Sequence, residues 1–112
     1  MKLPNAERAT VERAKIADYL LNAAHPDNGG KARFFGDLGF IRTDPATLAD
    51  ALCAIAVAGD VARQADSPHG RKFVVDGAIQ GTRGRSAVVR TIWIINTGQD
   101  VPRLVTAYPG GV

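Results

Sequence analysis

The sequence has one cysteine, two histidines and no long hydrophobic run in its 112 residues. The single cysteine, Cys53, excludes a disulfide framework and a cysteine-ligated zinc site, because both need several thiols. No apolar segment approaches the roughly 18 residues typical of a membrane span, and the first residues lack the apolar stretch of a signal peptide. We therefore expect a cytoplasmic protein that does not enter a membrane.

Acidic residues are scarce in the second half of the chain. Residues 1–60 hold seven basic and eight acidic residues, whereas residues 61–112 hold seven basic and only three acidic ones. Six of those seven basic residues are arginines, whose planar guanidinium suits phosphate groups. The charge pattern is compatible with a polyanion partner such as RNA and also with an ordinary basic, solvated surface.

The length of the chain fits one domain over residues 1–112, since typical domains have about 100–150 residues. The first part carries the apolar periodicity of three helices, predicted over residues 12–22, 30–38 and 45–58. Thr10 stands in the N-cap position of the first helix, and Pro45 fits the first position of the third.

The second part is rich in β-branched and apolar residues between short glycine-containing loops, which is typical of strands. Loops this short join antiparallel neighbours. The fold class predicted is therefore α+β, with about three N-terminal helices on one face of a three- to four-stranded antiparallel β-meander. The predicted strands cover residues 61–66, 72–80, 85–95 and 101–108, and the third is apolar enough to be covered on both faces.

Two side chains near the second helix could carry acid–base chemistry. His25 lies in the loop after the first helix, and imidazole is the side chain whose unperturbed pKa lies near neutrality. Lys31 follows a Gly-Gly pair at the start of the next helix, where backbone N–H groups can bind an anion. The alternative is that His25 only caps a helix end and that Lys31 is solvated. No carboxylate stands at ligand spacing from either histidine, so we expect no metal and no cofactor.

The last two strands add an arginine and two hydroxyls. Arg90 interrupts an apolar strand, so it either forms a salt bridge, with Asp76 on the neighbouring strand, or lines a site. Strand alternation places Leu104, Thr106 and Tyr108 on one face. Thr106 and Tyr108 are spaced to reach one ligand, although Tyr108 could instead cover the edge of the core.

Together these side chains form a set suited to metal-independent cleavage of a phosphodiester. RNA cleavage needs a base for the 2′-hydroxyl, an acid for the leaving oxygen, and cations near the phosphate. A histidine, a lysine, arginines, a threonine and a tyrosine provide each of these roles.

The same residues stand in segments that resemble a known group of proteins. The segments are KLPNAERA, DYLLN followed by HP and GGKARFFGDLGF, GRSAVVRTIWII, and PRLVTAYP. They resemble a family of small stand-alone bacterial proteins and the C-terminal toxin modules of polymorphic and contact-dependent toxins. Those modules are similar to the barnase–EndoU–colicin–RelE group of metal-independent ribonucleases, in which helices precede a four-stranded antiparallel sheet.

The resemblance implies a set of site residues. The matching motif positions are His25, Lys31, Arg103, Thr106 and Tyr108, with Trp93 in the preceding strand. It implies His25, Lys31, Thr106 and Tyr108 as catalytic residues, and Arg103 and Trp93 as contacts to substrate or phosphate. Arg90, selected because it interrupts an apolar strand, is a further candidate for contact with phosphate. It also implies an antitoxin or immunity protein as a partner.

Two functions are consistent with the sequence. The first is an endoribonuclease in which His25 acts as acid or base. The second is a module on the same fold that binds RNA or a protein without turnover. Both depend on one geometric expectation, namely that the His25 loop folds against the last strand so that these side chains converge.

Overall fold

The computed structural model describes residues 1–110 and confirms the α+β fold, with helices followed by a four-stranded antiparallel sheet. No helix within that range has the length and hydropathy to span a bilayer. The elements are a 3-10 turn (Ala6–Arg8), helix α1 (Arg13–Lys15, continued by a π-helical turn, Ile16–Leu20), helices α2 (Lys31–Asp37) and α3 (Pro45–Ala58), and strands β1 (Val61–Ser67), β2 (Gly70–Gln80), β3 (Ser86–Asn96) and β4 (Arg103–Pro109).

The third helix forms where the sequence predicts it. Pro45 occupies its first turn, where a missing N–H costs nothing. Asp44 precedes the helix, and its carboxylate accepts a hydrogen bond of 2.5 Å from the Thr47 hydroxyl. The buried side of α3 packs on β2, where Gly77 allows close approach, because a Cβ there would lie 2.9 Å from Cγ2 of Ile55.

The first helix differs from the prediction. Thr10 does not cap it, because its backbone pairs with β4 in a parallel bridge to Arg103. The Thr10 N–H donates to Pro102 O (2.9 Å), and the Leu104 N–H donates to Thr10 O (3.0 Å). These bonds satisfy backbone groups at the outer edge of β4 that no neighbouring strand reaches. Thr10 is therefore extended, and regular helix begins only at Arg13.

The sheet has the order β1-β2-β3-β4, with one irregularity that changes the faces of β4. Ile92 pairs with Thr106, but the next residue, Trp93, pairs with Leu104. One residue of β4 is extra at this bulge, so alternation is broken there. Leu104 therefore lies on the core face beside Trp93, while Thr106 does not. The prediction that Leu104 and Thr106 share a face is wrong for this reason.

The helices cover one face of the sheet only, which corrects the prediction that β3 is covered on both faces. Along β3 the residues Val89, Thr91 and Trp93 are buried on the helical side. On the other side Val88 is 52% exposed, and only Ile94 near the end of the strand is buried. We call this second side the open face. Strand β1 is exposed over most of its length, and its pairing with β2 is irregular between Val61 and Arg63.

The core contains one polar relay between strands. The Trp93 indole N–H donates to the Thr91 hydroxyl (2.7 Å), and that hydroxyl donates to Val75 O (2.6 Å). Both side chains are fully buried. Each polar atom of the relay has a partner, so burial of the Trp93 side chain leaves no hydrogen-bonding group unpaired.

Replacing Thr91 with valine tests this relay. Thr91→Val keeps the side-chain shape but leaves the buried indole N–H without an acceptor, which should lower the free energy of unfolding by about 1–3 kcal/mol. Urea denaturation measures the change. Thr97→Val, in the exposed β3–β4 turn, is the matched control and should stay within about 0.5 kcal/mol of the parent. Equal effects of the two substitutions would contradict the assignment.

Candidate functional site

A cleft of about 650 Å³ lies between the first helix and strand β4. One wall is helix α1 and the segment before it, one end is the loop that carries His25, and the floor is the bulged part of β4. The cleft is therefore formed by three segments that are distant in sequence. Its lining residues are Glu12, Ala14, Lys15, Asp18, Tyr19, His25, Asp27, Val105 and Thr106.

Tyr19 is the side chain at which the predicted residues meet. Its hydroxyl is 3.2 Å from the Thr106 hydroxyl. Its ring packs edge-on against the His25 ring, with 4.9 Å between centroids. The Lys31 ammonium lies 5.3 Å from the centre of the same ring, and that of Lys15 lies 5.7 Å from it. The His25 loop therefore approaches the last strand at Thr106, with Tyr19 between them, but it does not approach Tyr108 or Arg103.

The π-helical turn explains how Tyr19 reaches β4. The Leu21 N–H donates to Ile16 O (2.8 Å), a bond between residues five apart that characterises a π turn. Such turns are frequently found at functional sites. Tyr19 lies in this turn, beside the segment that Thr10 anchors to β4.

Asn28 fixes the His25 loop to both neighbouring helices. Its side-chain N–H groups donate to Tyr19 O (2.7 Å) and Leu20 O (3.3 Å), and its Oδ1 accepts from the Ala32 N–H (2.9 Å). The side chain is almost completely buried. It therefore binds carbonyls at the end of the first helix and an N–H in the first turn of α2, and so sets the position of the loop between them.

The imidazole of His25 is oriented by its own loop. Its Nδ1 accepts a hydrogen bond of 3.0 Å from the Asp27 N–H. A ring nitrogen that accepts carries no proton, so the neutral ring holds its proton on Nε2. The neutral ring thus presents Nε2–H as a hydrogen-bond donor.

The electrostatic environment of Tyr19 favours its ionised form. Burial alone would raise the pKa of the phenol. The hydrogen bond with Thr106 and the positive charges of Lys31 and Lys15 outweigh burial and lower the pKa of Tyr19 below its ordinary value. Of the two lysines, Lys31 has the larger effect.

Arg90 lies elsewhere and forms the salt bridge that was one of its two predicted roles. Its Nε and Nη2 donate to the two carboxylate oxygens of Asp76 at 2.9 and 2.8 Å. This bidentate pair lowers the pKa of Asp76, chiefly through the hydrogen bonds. Tyr108 pairs with Arg90 across β3 and β4 on the open face. Neither residue lines the cleft.

Arg103 and Trp93 are also outside the cleft. Arg103 lines a separate hollow by the β3–β4 turn, and its Nη2 donates to Asn96 Oδ1 (3.3 Å). Trp93 is fully buried, with its indole N–H donated to Thr91. The expected contact of Trp93 with substrate is therefore corrected: the indole has no surface to offer. Nor do Lys31, Arg90 and Arg103 form one phosphate site.

Sequence reasoning did not select Tyr19. It has the same apolar spacing in the first helix as Ile16 and Leu20, both of which are fully buried. Tyr19 remains partly exposed. The available signal was its hydroxyl, since a tyrosine on an apolar stripe commonly directs that group to a polar partner.

No group of three histidine, cysteine or acidic side chains suited to a metal ion is present in the described range, residues 1–110.

The family model of DUF6883, a domain of unknown function, matches residues 2–111 of this sequence. The chain belongs to the DUF6883 family. No curated protein matches this DUF6883 chain. Among solved structures, it is similar to a chain of a contact-dependent growth inhibition toxin–immunity protein complex from Klebsiella pneumoniae 342. The TM-score is 0.75 at 16% identity, covering 96% of this chain and 98% of the other, so the fold is shared.

The lowered pKa of Tyr19 can be measured in the DUF6883 chain. Absorbance at alkaline pH, recorded in a Tyr108→Phe background, follows Tyr19 alone because the chain has two tyrosines. We expect ionisation below the ordinary value of about 10. Lys31→Gln should raise the pKa, because it removes a positive charge that favours the phenolate.

Lys72→Gln is the matched control. Lys72 is exposed on β2 and is not among the residues that lower the pKa of Tyr19. The same upward shift in both variants would contradict a specific effect of Lys31.

Proposed function

We propose that this chain is a toxin-like endoribonuclease that cleaves RNA by metal-independent acid–base chemistry in the cleft between α1 and β4. The observation that carries the proposal is the meeting of Tyr19, His25 and Thr106 beside Lys31. Two groups that can exchange protons, a hydroxyl and a cation are the parts that phosphodiester cleavage by the 2′-hydroxyl needs.

The geometry supports a division of roles. Tyr19, in its ionised form, accepts the proton of the 2′-hydroxyl as this oxygen attacks phosphorus. His25 acts as the acid in its doubly protonated form, in which Nδ1 carries a proton in place of the bond from the Asp27 N–H. It gives the Nε2 proton to the leaving 5′-oxygen as the P–O bond breaks and becomes a neutral imidazole. The products are a 2′,3′-cyclic phosphate and a 5′-hydroxyl, and the two protein groups then exchange their protons with water. Thr106 orients the phenol through its hydrogen bond.

Cations near the cleft support a phosphate substrate. Lys15 and Lys31 both lie over the Tyr19 ring, and within residues 1–110 neither has a carboxylate within 4 Å. The lining also contains three acidic residues, Glu12, Asp18 and Asp27, of which Asp18 is paired with Arg42 at 3.6 Å. Lys15 and Lys31 are thus available to a phosphorane-like transition state, where fixed charges are most effective.

The resemblance and the shared fold support a place in the barnase–EndoU–colicin–RelE group. They also support a partner. The solved relative is a toxin–immunity protein complex, and this sequence resembles toxin modules. We therefore propose a cognate immunity protein or antitoxin that covers the cleft, and a cytoplasmic RNA as the substrate.

Cleavage of total RNA and tRNA by the purified chain tests the activity. We expect His25→Ala and Tyr19→Phe each to reduce the rate by about 10²–10⁴-fold, the usual contribution of a general acid or base. His69→Ala is the matched control, because His69 lies in the exposed β1–β2 turn and should leave the rate unchanged. The rate should also be the same with and without EDTA.

Three results would contradict the proposal. They are no cleavage by the parent chain, unchanged cleavage in both site variants, or an equal loss in the His69 control. Salt-sensitive RNA binding without cleavage would instead identify a non-catalytic binding module, because release of counterions makes such binding weaken steeply with salt.

A further inference from the structure

A second hollow lies at the β3–β4 turn, next to the cleft. It is lined by Thr10, Asn96, Thr97, Gln99, Val101 and Arg103. All but Val101 offer side-chain donors, and Arg103 is the one charged group among them. The hollow has a volume of about 590 Å³, so it can hold a group larger than a single ion.

The charge of Arg103 is not neutralised by a neighbour. Its recorded side-chain hydrogen bond goes to the amide oxygen of Asn96, at 3.3 Å. Within residues 1–110 no carboxylate lies within 4 Å of it, whereas Arg90 on the same sheet is held by both oxygens of Asp76. Arg103 therefore keeps its charge available to an anion, whereas the charge of Arg90 is already paired with a carboxylate.

The hollow and the cleft are separate but are bordered by the same two segments of the chain. Thr10 and Arg103, which pair with each other, border the hollow. Further along the same two segments, the cleft is bordered by Glu12, Ala14 and Lys15 and by Val105 and Thr106. Arg103 and Thr106 are three steps apart along β4, with two residues between them, which is a distance of roughly 10 Å.

We propose that the Arg103 hollow binds a second backbone phosphate of the RNA whose reacting phosphate lies in the cleft. The substrate class is therefore an oligonucleotide, because a dinucleotide has one internucleotide phosphate and cannot fill two sites about 10 Å apart. Arg103 holds the flanking nucleotides and takes no part in proton transfer. The assignment of the ligand as RNA rests on the proposed function.

Binding of uncleavable RNA tests this site. The probes are fluorescent 2′-O-methyl oligonucleotides, one a dinucleotide and one of about eight nucleotides, within the site sizes common for single strands. We expect Arg103→Gln to weaken binding of the longer probe several-fold and to reduce the slope of log K against log salt by about 0.7. Binding of the dinucleotide should not change.

Arg83→Gln is the matched control, because it removes the same charge from an exposed position in the β2–β3 turn. It should leave both probes unaffected, while Arg103→Lys should restore most of the binding. Urea denaturation of Arg103→Gln should match the parent, since only one weak side-chain bond is lost. In cleavage assays the variant should raise KM for the longer RNA with kcat unchanged.

The outcomes separate the two proposals. Equal effects of Arg103→Gln and Arg83→Gln, or an equal loss on both probes, would overturn the Arg103 site while cleavage stands. Loss of binding confined to the longer probe, in a chain that cleaves nothing, would support the site and overturn the nuclease. A parent chain that neither binds nor cleaves would overturn both.

Discussion

The open edge of strand β4 determines where the candidate site forms. An edge strand presents backbone N–H and C=O groups that need hydrogen-bond partners. Here the N–H and the C=O of the extended residue Thr10 are two such partners. This pairing lays the following helix along β4. The π turn then brings Tyr19 to the Thr106 hydroxyl. The cleft is thus a consequence of satisfying one strand edge with the N-terminal segment.

The architecture could be predicted from the sequence because its signals are local. The Asp44–Pro45 pair begins α3, and the apolar strands separated by short loops form the meander. The bulge in β4 and the π turn in α1 could not be predicted. Each shifts the alternation of faces by about one residue, and no local signal near Thr106 or Tyr19 marks that shift. Tertiary pairing with Thr10 and β3 decides both.

The site was predictable in part for the same reason. His25, Lys31 and Thr106 were selected by chemistry and resemblance, and they lie around one ring. Tyr19 could not be selected in this way, because its spacing from Ile16 and Leu20 is that of a core residue. Arg90 could be assigned only from register, since its partner Asp76 faces it directly across β2 and β3. Residue type indicates which chemistry a side chain can perform. The pairing of strands decides which arginines are already bound to a carboxylate and which remain available.

Strand β1 has a different consequence, one for self-association. It is the outer strand on the side of the sheet away from Thr10, and most of its residues are exposed. A flat, apolar strand in that position recruits strands from other molecules into aggregates. Here the irregular pairing near Arg63 and the charges of Arg63 and Asp66 work against such stacking. At the β4 edge the sheet thus pairs with the N-terminal segment at Thr10. At the β1 edge, irregular pairing and charged side chains oppose pairing with other molecules.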